Sequence, residues 1–527
     1  MSQWPCIPSV VISLLTRLYL AVVRCVFRLL WVAWGPTKLL LPPIDDPALV
    51  QSARTLALWI RQRKRSTVSI IEAFRRRIEA VNPIINAVVD ERFEAALREA
   101  REVDRRLDAC TQEEREEIGR IQPLLGVPFT AKESVMVKGL SNAGGLVNRQ
   151  GMKASRDAEV VGRLREAGAI PVAVTNVPEL AIWVESYNLL NGRTVNPYDV
   201  SRTPGGSSGG EGALLTSCGT PLSVGTDIGG SIRIPAFLCG TFGHKPTSGW
   251  VSLDGTRPFR YVNENRKISV AGPLCRSVGD LVVFLESVAP RAAGLAANVT
   301  NTDIGSLNIW WMDGMESPWC RPTEPSLREA LHDACRYLHQ SFGATLRQFQ
   351  WPLDMSRTAE VWLSKKNNED KDEPPLVSDM KNREGSINLV EEWLRWMCGR
   401  GRHIFPTLVL ASGETRPLKS DRLSWKNIQT SFLDKLGQNG VLVVPVLPLV
   451  APFHGELLYF WKDVNLALIF NVTEMPSTSV PLGLTKDGLP LGLQVVTTPG
   501  NDHLSLAVAA ALEDKFGGWV SPSPVTV

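Results

Sequence analysis

Apolar and polar positions alternate differently in three parts of the chain. Residues 9–34, SVVISLLTRLYLAVVRCVFRLLWVAW, are apolar almost throughout, and as one helix they are long enough to cross a bilayer. Trp31 and Trp34 near the end of the run suit a membrane interface. Arg17, Arg24 and Arg28 interrupt it, and at about 100° per residue they fall within roughly 40° of one another, giving the helix one basic stripe. A helix lying in the interface would have the same pattern. No acidic residue precedes Asp45, so this end is purely cationic and suited to anionic headgroups. A spanning anchor is the leading expectation and an interfacial helix the second. A cleaved signal peptide comes third, because the charged segment that should precede the apolar run is missing.

Pro36, Pro42 and Pro43 break the helix, which divides the chain into an anchor at 1–35 and a body at 45–527. The pattern from Leu56 to Asp108 is helical, with SIIEAF from Ser69 and RFEAAL from Arg92 as amphipathic stretches. Beyond it, Leu124–Thr130, Ala169–Val174 and Val441–Pro445 read as buried strands, and Glu159–Ala167 and His503–Glu513 as helices. This alternation predicts an α/β layered fold. Two apolar runs flanking Lys486-Asp487-Gly488 predict a hairpin, so the sheet should be mixed. The stretch Lys365–Glu384 is charged and contains prolines, and it reads as a solvated surface insertion without chemistry.

Composition narrows the function classes. With 527 residues, 44% of them hydrophobic and 21% charged, the chain has material for a large core. The net charge of +3 is spread out, with no basic run to track a phosphate backbone, so nucleic acid is not an expected partner. Nine cysteines stand singly with no CxxC pair, which argues against a disulfide framework or a zinc knuckle. Six histidines are scattered without metal-ligand spacing, so neither a metal nor another cofactor is expected. The glycosylation sequons at Asn298 and Asn471 would matter only in a secretory lumen.

The chemistry-bearing signal lies between Thr203 and Thr247: TPGGSSGGEGALL, then GTDIGGSIRIPAFLCG, then GHKPT. Glycine-rich loops serve where backbone must approach a reacting atom and point several N–H groups at it. Neither loop has the GK[ST] ending of a phosphate-binding loop or the GxGxxG order, and no GxSxG elbow occurs. What remains is a serine nucleophile in need of a base, and no histidine has a context that nominates it. A lysine can serve when neutral, which requires lowering its usual value near 10.4 by about three units, roughly 4 kcal/mol. Lys132 ends the apolar run LLGVPFTA, where catalytic groups gather in α/β sheets, although most lysines so placed are simply solvated.

Taken together, GVPFTAKES, GGSSGGEGAL and GTDIGGSIRIPA resemble the amidase signature family over roughly residues 50–527. The resemblance implies a large mixed twisted sheet between helices and a Ser–Ser–Lys triad at Lys132, Ser207 and Ser231. It casts Ser231 as nucleophile and Ser207 as proton relay to neutral Lys132. The N–H groups of Ile228, Gly229, Gly230 and Ser231 become the oxyanion hole. Ser208 is then a supporting hydrogen-bonder, and Asp227 and Arg233 brace the nucleophile loop, with a structural ion pair as the preferred reading of those two. The C-terminal GLPLGLQVVTTPGNDHLSLAVAAALEDKFGGWVSP is similar to the vertebrate fatty-acid amide hydrolases, the second type in particular. That implies fatty-acid primary amides and N-acylethanolamines as substrates at a membrane, intracellular or lipid-droplet, and leaves a homodimer open. A glutamine-dependent amidotransferase subunit shares the signature but conflicts with residues 9–34, and an idle membrane-tethered scaffold would need an unused triad.

From about residue 295 to 435 the likeness is thin, which leaves acyl-chain preference unread. Within that span LVEEWLRWMC from Leu389 sets Trp393, Trp396 and Met397 on adjacent helical turns beside the basic GRGRH. It suits a lipid entrance, although a helix packed on the core is the commoner use of such a stripe.

Overall fold

The short apolar runs assemble into one 11-stranded sheet. Across it the strands run Val88–Glu91, Ile170–Thr175, Pro128–Lys132, Leu222–Asp227, Val270–Cys275, Phe242–Lys245, Ser477–Leu484, Pro490–Thr497, Gly440–Val444, Asn308–Trp311 and Thr345–Gln348. Pro128–Lys132 is parallel to both of its neighbours, Asn308–Trp311 is parallel to both of its own, and every other pairing is antiparallel. This is the expected mixed sheet. The predicted hairpin joins Ser477–Leu484 to Pro490–Thr497, and Gly488 takes φ +80° in its turn. The computed structural model describes residues 9–34, 40–257, 267–315, 317–351, 355–369, 375–382, 384–414 and 425–526.

Both faces of the sheet are covered, as the alternation along one strand shows. In Gly440–Val444, Val441 and Val443 join the large cluster containing helices 278–288 and 502–516, whereas Leu442 and Val444 join a cluster with Phe432, Phe470 and Met475. Another cluster sets Ile71, Ile78 and Val81 of helix Thr67–Ile85, with Leu97 and Ala100 of helix Phe93–Asp108, against Ile170 and Val172.

Three expected boundaries shift. The helical pattern from Leu56 to Asp108 is interrupted by the edge strand Val88–Glu91. Of the run Leu124–Thr130 only the second half is strand, because the chain turns before it and Gly126 adopts φ +74°. The stretch Lys365–Glu384 is not merely a solvated insertion. Its start belongs to helix Thr358–Glu369, Lys365 is fully buried, and Met380 joins an apolar cluster. Residues 370–374 and 383 of that stretch lie outside the described residues, as does Pro36.

Helix Ser9–Trp34 forms as expected and is long and apolar enough to cross a membrane. Val10, Leu14, Leu15, Leu18, Val22, Val26 and Leu29 are exposed. Its other side rests on the body: Thr16 Oγ1 donates to the Pro318 carbonyl at 3.0 Å, and Tyr19 donates to the Tyr459 carbonyl at 3.1 Å. Further along, Arg24 pairs with Glu324, and Phe27 meets the Tyr459 ring edge-on. One arginine of the basic stripe is therefore occupied by the body rather than turned to headgroups. Helix Leu389–Met397 packs on an apolar cluster through Leu389 and Trp393, which is the preferred expectation, but along one side only. Trp393 turns inward and donates to Ser412 Oγ at 3.0 Å, while Val390, Leu394, Trp396 and Met397 are exposed.

Candidate active site

Two adjacent parallel strands, Pro128–Lys132 and Leu222–Asp227, end side by side, and their last residues carry the site. The first is buried along its whole length, so Lys132 reaches its position by being the last residue of an apolar strand. Beneath the loops, helix Gly209–Thr216 packs so closely that a Cβ on Gly210 would lie 2.7 Å from the backbone of Asn176. This close approach explains the glycines around Ser207 and Ser208.

Lys132 Nζ donates to Ser207 Oγ at 2.6 Å and to Thr226 Oγ1 at 2.9 Å, and both Lys132 and Ser207 are buried. It makes no ion pair among the described residues. Burial lowers the amine to about 7, against the opposing pull of Asp227 and Glu211. Glu211 is buried too, and burial raises its carboxyl to about 7 despite the hydroxyls of Ser223, Thr130 and Thr175. It accepts from Thr175 Oγ1 at 2.8 Å and from Thr130 Oγ1 at 2.5 Å. An amine balanced near neutrality and touching a hydroxyl can take that hydroxyl's proton.

Ser231 lies on the second loop and, unlike Lys132 and Ser207, keeps partial exposure, as do Thr226, Ile228 and Gly229. The two serine hydroxyls are not hydrogen-bonded to each other. The loops are joined through backbone, the Ser208 N–H donating to the Ser231 carbonyl at 3.2 Å. That corrects the role expected of Ser208: its hydroxyl is buried without a partner, and it is the backbone N–H that makes the link.

The second loop is wound around Asp227. Its carboxylate accepts from the N–H groups of Gly230 (2.7 Å) and Ile232 (3.1 Å), from Arg233 Nε and Nη2 (both 3.1 Å) and from Asn471 Nδ2 (2.9 Å). Burial opposes its ionisation, yet Arg233, the Gly230 N–H and the charge of Lys245 hold this carboxylate well below the usual range. Arg233 continues to Asn471 Oδ1 at 2.6 Å and Gln494 Oε1 at 3.0 Å. The preferred structural reading of Asp227 and Arg233 is therefore what the geometry contains. One of the four expected oxyanion donors changes role, since the Gly230 N–H is already engaged by Asp227. The N–H groups of Ile228, Gly229 and Ser231 make no hydrogen bond among the described residues. Gly230 has φ +110°, and a Cβ there would meet Ala467 Cβ and Ile234 Cδ1 at 2.7 Å.

Sequence reasoning missed Thr226, Glu211, Asn471, Gln494 and Trp362, whose indole donates to the Ile228 carbonyl at 2.6 Å. Glu211 sits inside the quoted motif and could have been nominated. Asn471 was visible only as a sequon, yet it is fully buried in the loop's network and so closed to glycosylation in the fold.

A sequence model of the amidase family matches residues 69–303 and 354–506, resuming inside the stretch where likeness is expected to be thin. Fatty-acid amide hydrolase 2-B of Danio rerio is 39% identical over 495 residues, 92% of this chain and 93% of that protein. Fatty-acid amide hydrolase 2 of Homo sapiens is 37% identical over 492 residues, 91% of this chain and 92% of that protein. The solved structure of a 6-aminohexanoate cyclic dimer hydrolase complexed with substrate superposes with a TM-score of 0.71 at 24% identity, over 89% of this chain and 98% of that one. That last likeness concerns the fold alone.

Proposed function

Since this chain belongs to the amidase family, we propose that it hydrolyses fatty-acid amides, both primary amides and N-acylethanolamines, to a free fatty acid and ammonia or an amine. Ser231 Oγ attacks the amide carbonyl carbon as its proton passes to Ser207 Oγ and the Ser207 proton passes to neutral Lys132 Nζ. The carbonyl oxygen, now negative, is met by the free N–H groups of Ile228, Gly229 and Ser231. The C–N bond then breaks as a proton returns from Lys132 through Ser207 to the leaving nitrogen. Water, deprotonated by the same relay, releases the acid from the Ser231 ester. The single observation carrying this reading is the 2.6 Å contact between the buried Lys132 amine and the Ser207 hydroxyl, beside the partly exposed Ser231.

A fluorophosphonate serine probe tests it. The adduct is expected on Ser231, and Ser231→Ala should lose turnover on the order of 10⁶-fold. A Ser231→Ala protein that still turns over the amide, or an adduct on another serine, rules the assignment out, whereas no adduct on Ser231 together with no turnover by the wild-type protein favours the idle-scaffold reading.

The substrate class rests on the relatives named above and on the apolar N-terminal helix, which suits a substrate dissolved in lipid. On this reading 1–35 is an anchor and 45–527 the amidase body. Contacts from Thr16 to Phe27 with the body favour a helix lying beside it over one projecting away. Deleting residues 1–35 should leave kcat on a water-soluble amide unchanged while the protein ceases to sediment with anionic vesicles; undiminished sedimentation would move the anchor elsewhere.

A further inference from the structure

The helix Thr358–Glu369, whose last turn opens the charged stretch Lys365–Glu384, touches the nucleophile loop directly. Trp362 Nε1 donates to the Ile228 carbonyl at 2.6 Å. In a trans peptide the C=O and N–H point in opposite directions, so holding the Ile228 oxygen on one side turns the Gly229 N–H to the other. That N–H has no partner among the described residues, and Gly229 keeps partial exposure at the mouth of the site. The next peptide is fixed from the opposite side, its Gly230 N–H bound to Asp227 at 2.7 Å. Gly229 thus lies between two anchored groups.

The helix itself is not free to drift. Lys365, one turn after Trp362, donates to the Val472 carbonyl at 2.9 Å and to Glu474 at 2.6 Å, and lies over the Trp425 ring at 4.2 Å from its centre. Val472 follows Asn471, the residue that reaches Asp227. At the helix end, Glu369 accepts from the N–H groups of Lys267 and Ile268, both at 2.9 Å, just before the strand that pairs with Leu222–Asp227. One helix therefore ties together the nucleophile loop, the helix behind it and the neighbouring strand.

We infer that Trp362 is a positioning residue of the oxyanion hole, whose indole N–H holds the Ile228 carbonyl and thereby aims the Gly229 N–H at the oxygen of the reacting amide. This rests on the assignment of Ser231 as nucleophile. It adds a role for a segment well separated in sequence from both signature loops.

The cleanest test replaces Trp362 by β-(3-benzothienyl)alanine, which keeps the bicyclic shape and lacks only the N–H. Turnover of a short water-soluble amide should fall about 10- to 100-fold, less than or equal to the loss on removing a donor outright. KM should stay put, and the inhibition constant of a trifluoromethyl ketone, which forms a tetrahedral alkoxide on the nucleophile, should rise by the same factor. Trp362→Phe, with Tm recorded alongside, should give the same split between kcat and KM. Unchanged kcat in the benzothienyl protein overturns the inference, as does a parallel change in kcat and KM with the ketone unaffected, because a merely structural tryptophan would give that. Ser231→Ala run alongside separates the two levels: if it stays active the nucleophile assignment has failed, whereas an inactive Ser231→Ala beside a fully active Trp362 protein removes only the positioning role.

Discussion

Two buried charge centres end the neighbouring strands Pro128–Lys132 and Leu222–Asp227, and they are built in opposite ways. Asp227 receives five donors, two from backbone, two from Arg233 and one from Asn471, and it is held well below the usual carboxylate range. Lys132, equally buried, receives only hydroxyl partners, and burial draws its amine down to about 7. A buried charge with all its lone pairs matched stays ionised and acts as a rigid hub for the loop around it. A buried charge offered only hydroxyls is left able to lose its proton under ordinary conditions. The neighbouring strands Pro128–Lys132 and Leu222–Asp227 thus end in one group that gives up its charge and one that keeps it.

Breaking the two centres in turn should expose that difference. Of the two centres, the larger effect on rate is expected from Lys132→Met, which keeps the volume and removes the amine: kcat/KM should fall on the order of 10³- to 10⁴-fold. Its effect on stability should have the opposite sign. The amine's folded-state value of about 7 lies below its ordinary 10.5, so the unfolded chain holds the extra proton between those limits. Stability gained from this group is present above 10.5 and lost as pH falls to 7, so the wild-type protein grows more stable with rising pH across that window. Lys132→Met should therefore be at least as stable as wild type at pH 7 and lack that slope, as thermal unfolding at several pH values would record.

Arg233→Met should behave in reverse. It leaves the Asp227 carboxylate buried without its guanidinium, a loss of about 3–5 kcal/mol by the general cost of breaking a buried pair, with Tm falling at every pH where Asp227 is ionised. Its loss of rate should be smaller than that of Lys132→Met, because the base and the free N–H groups remain. If both substitutions lowered Tm alike, the contrast between a saturated and an unsaturated charge would be wrong.

The same contrast governs how much was legible in the sequence. Lys132, Ser207 and Ser231 were singled out because each sits in a short local motif, a strand end or a glycine-rich loop, that resembles the amidase family's, and the structure sets Lys132 against Ser207 with Ser231 on the adjoining loop. The mixed α/β sheet was readable because strand periods and a Lys-Asp-Gly turn are local as well. The residues that hold the loop in place were not. Asn471 and Gln494 reach Asp227 and Arg233 across more than two hundred positions, and Trp362 reaches Ile228 across 134. Nothing around them distinguishes a residue that braces a loop from one that packs in a core. The Gly230 N–H was misassigned for a related reason: motif spacing gives the number of available donors, and only coordinates reveal that a carboxylate has taken one. Lys365 was misread because a charged stretch ordinarily faces water, whereas this lysine is buried by a partner, Glu474, remote in the chain.

The most direct measurement is the pH dependence of kcat/KM on a water-soluble amide, wild type against Lys132→Met. A neutral Lys132 as the base requires wild-type activity to rise through a single titration centred near pH 7 and level off above it, and the residual activity of the Lys132→Met protein to show no such step. A step of the same midpoint surviving in Lys132→Met would mean that another group accepts the proton, and the relay described for this site would be wrong.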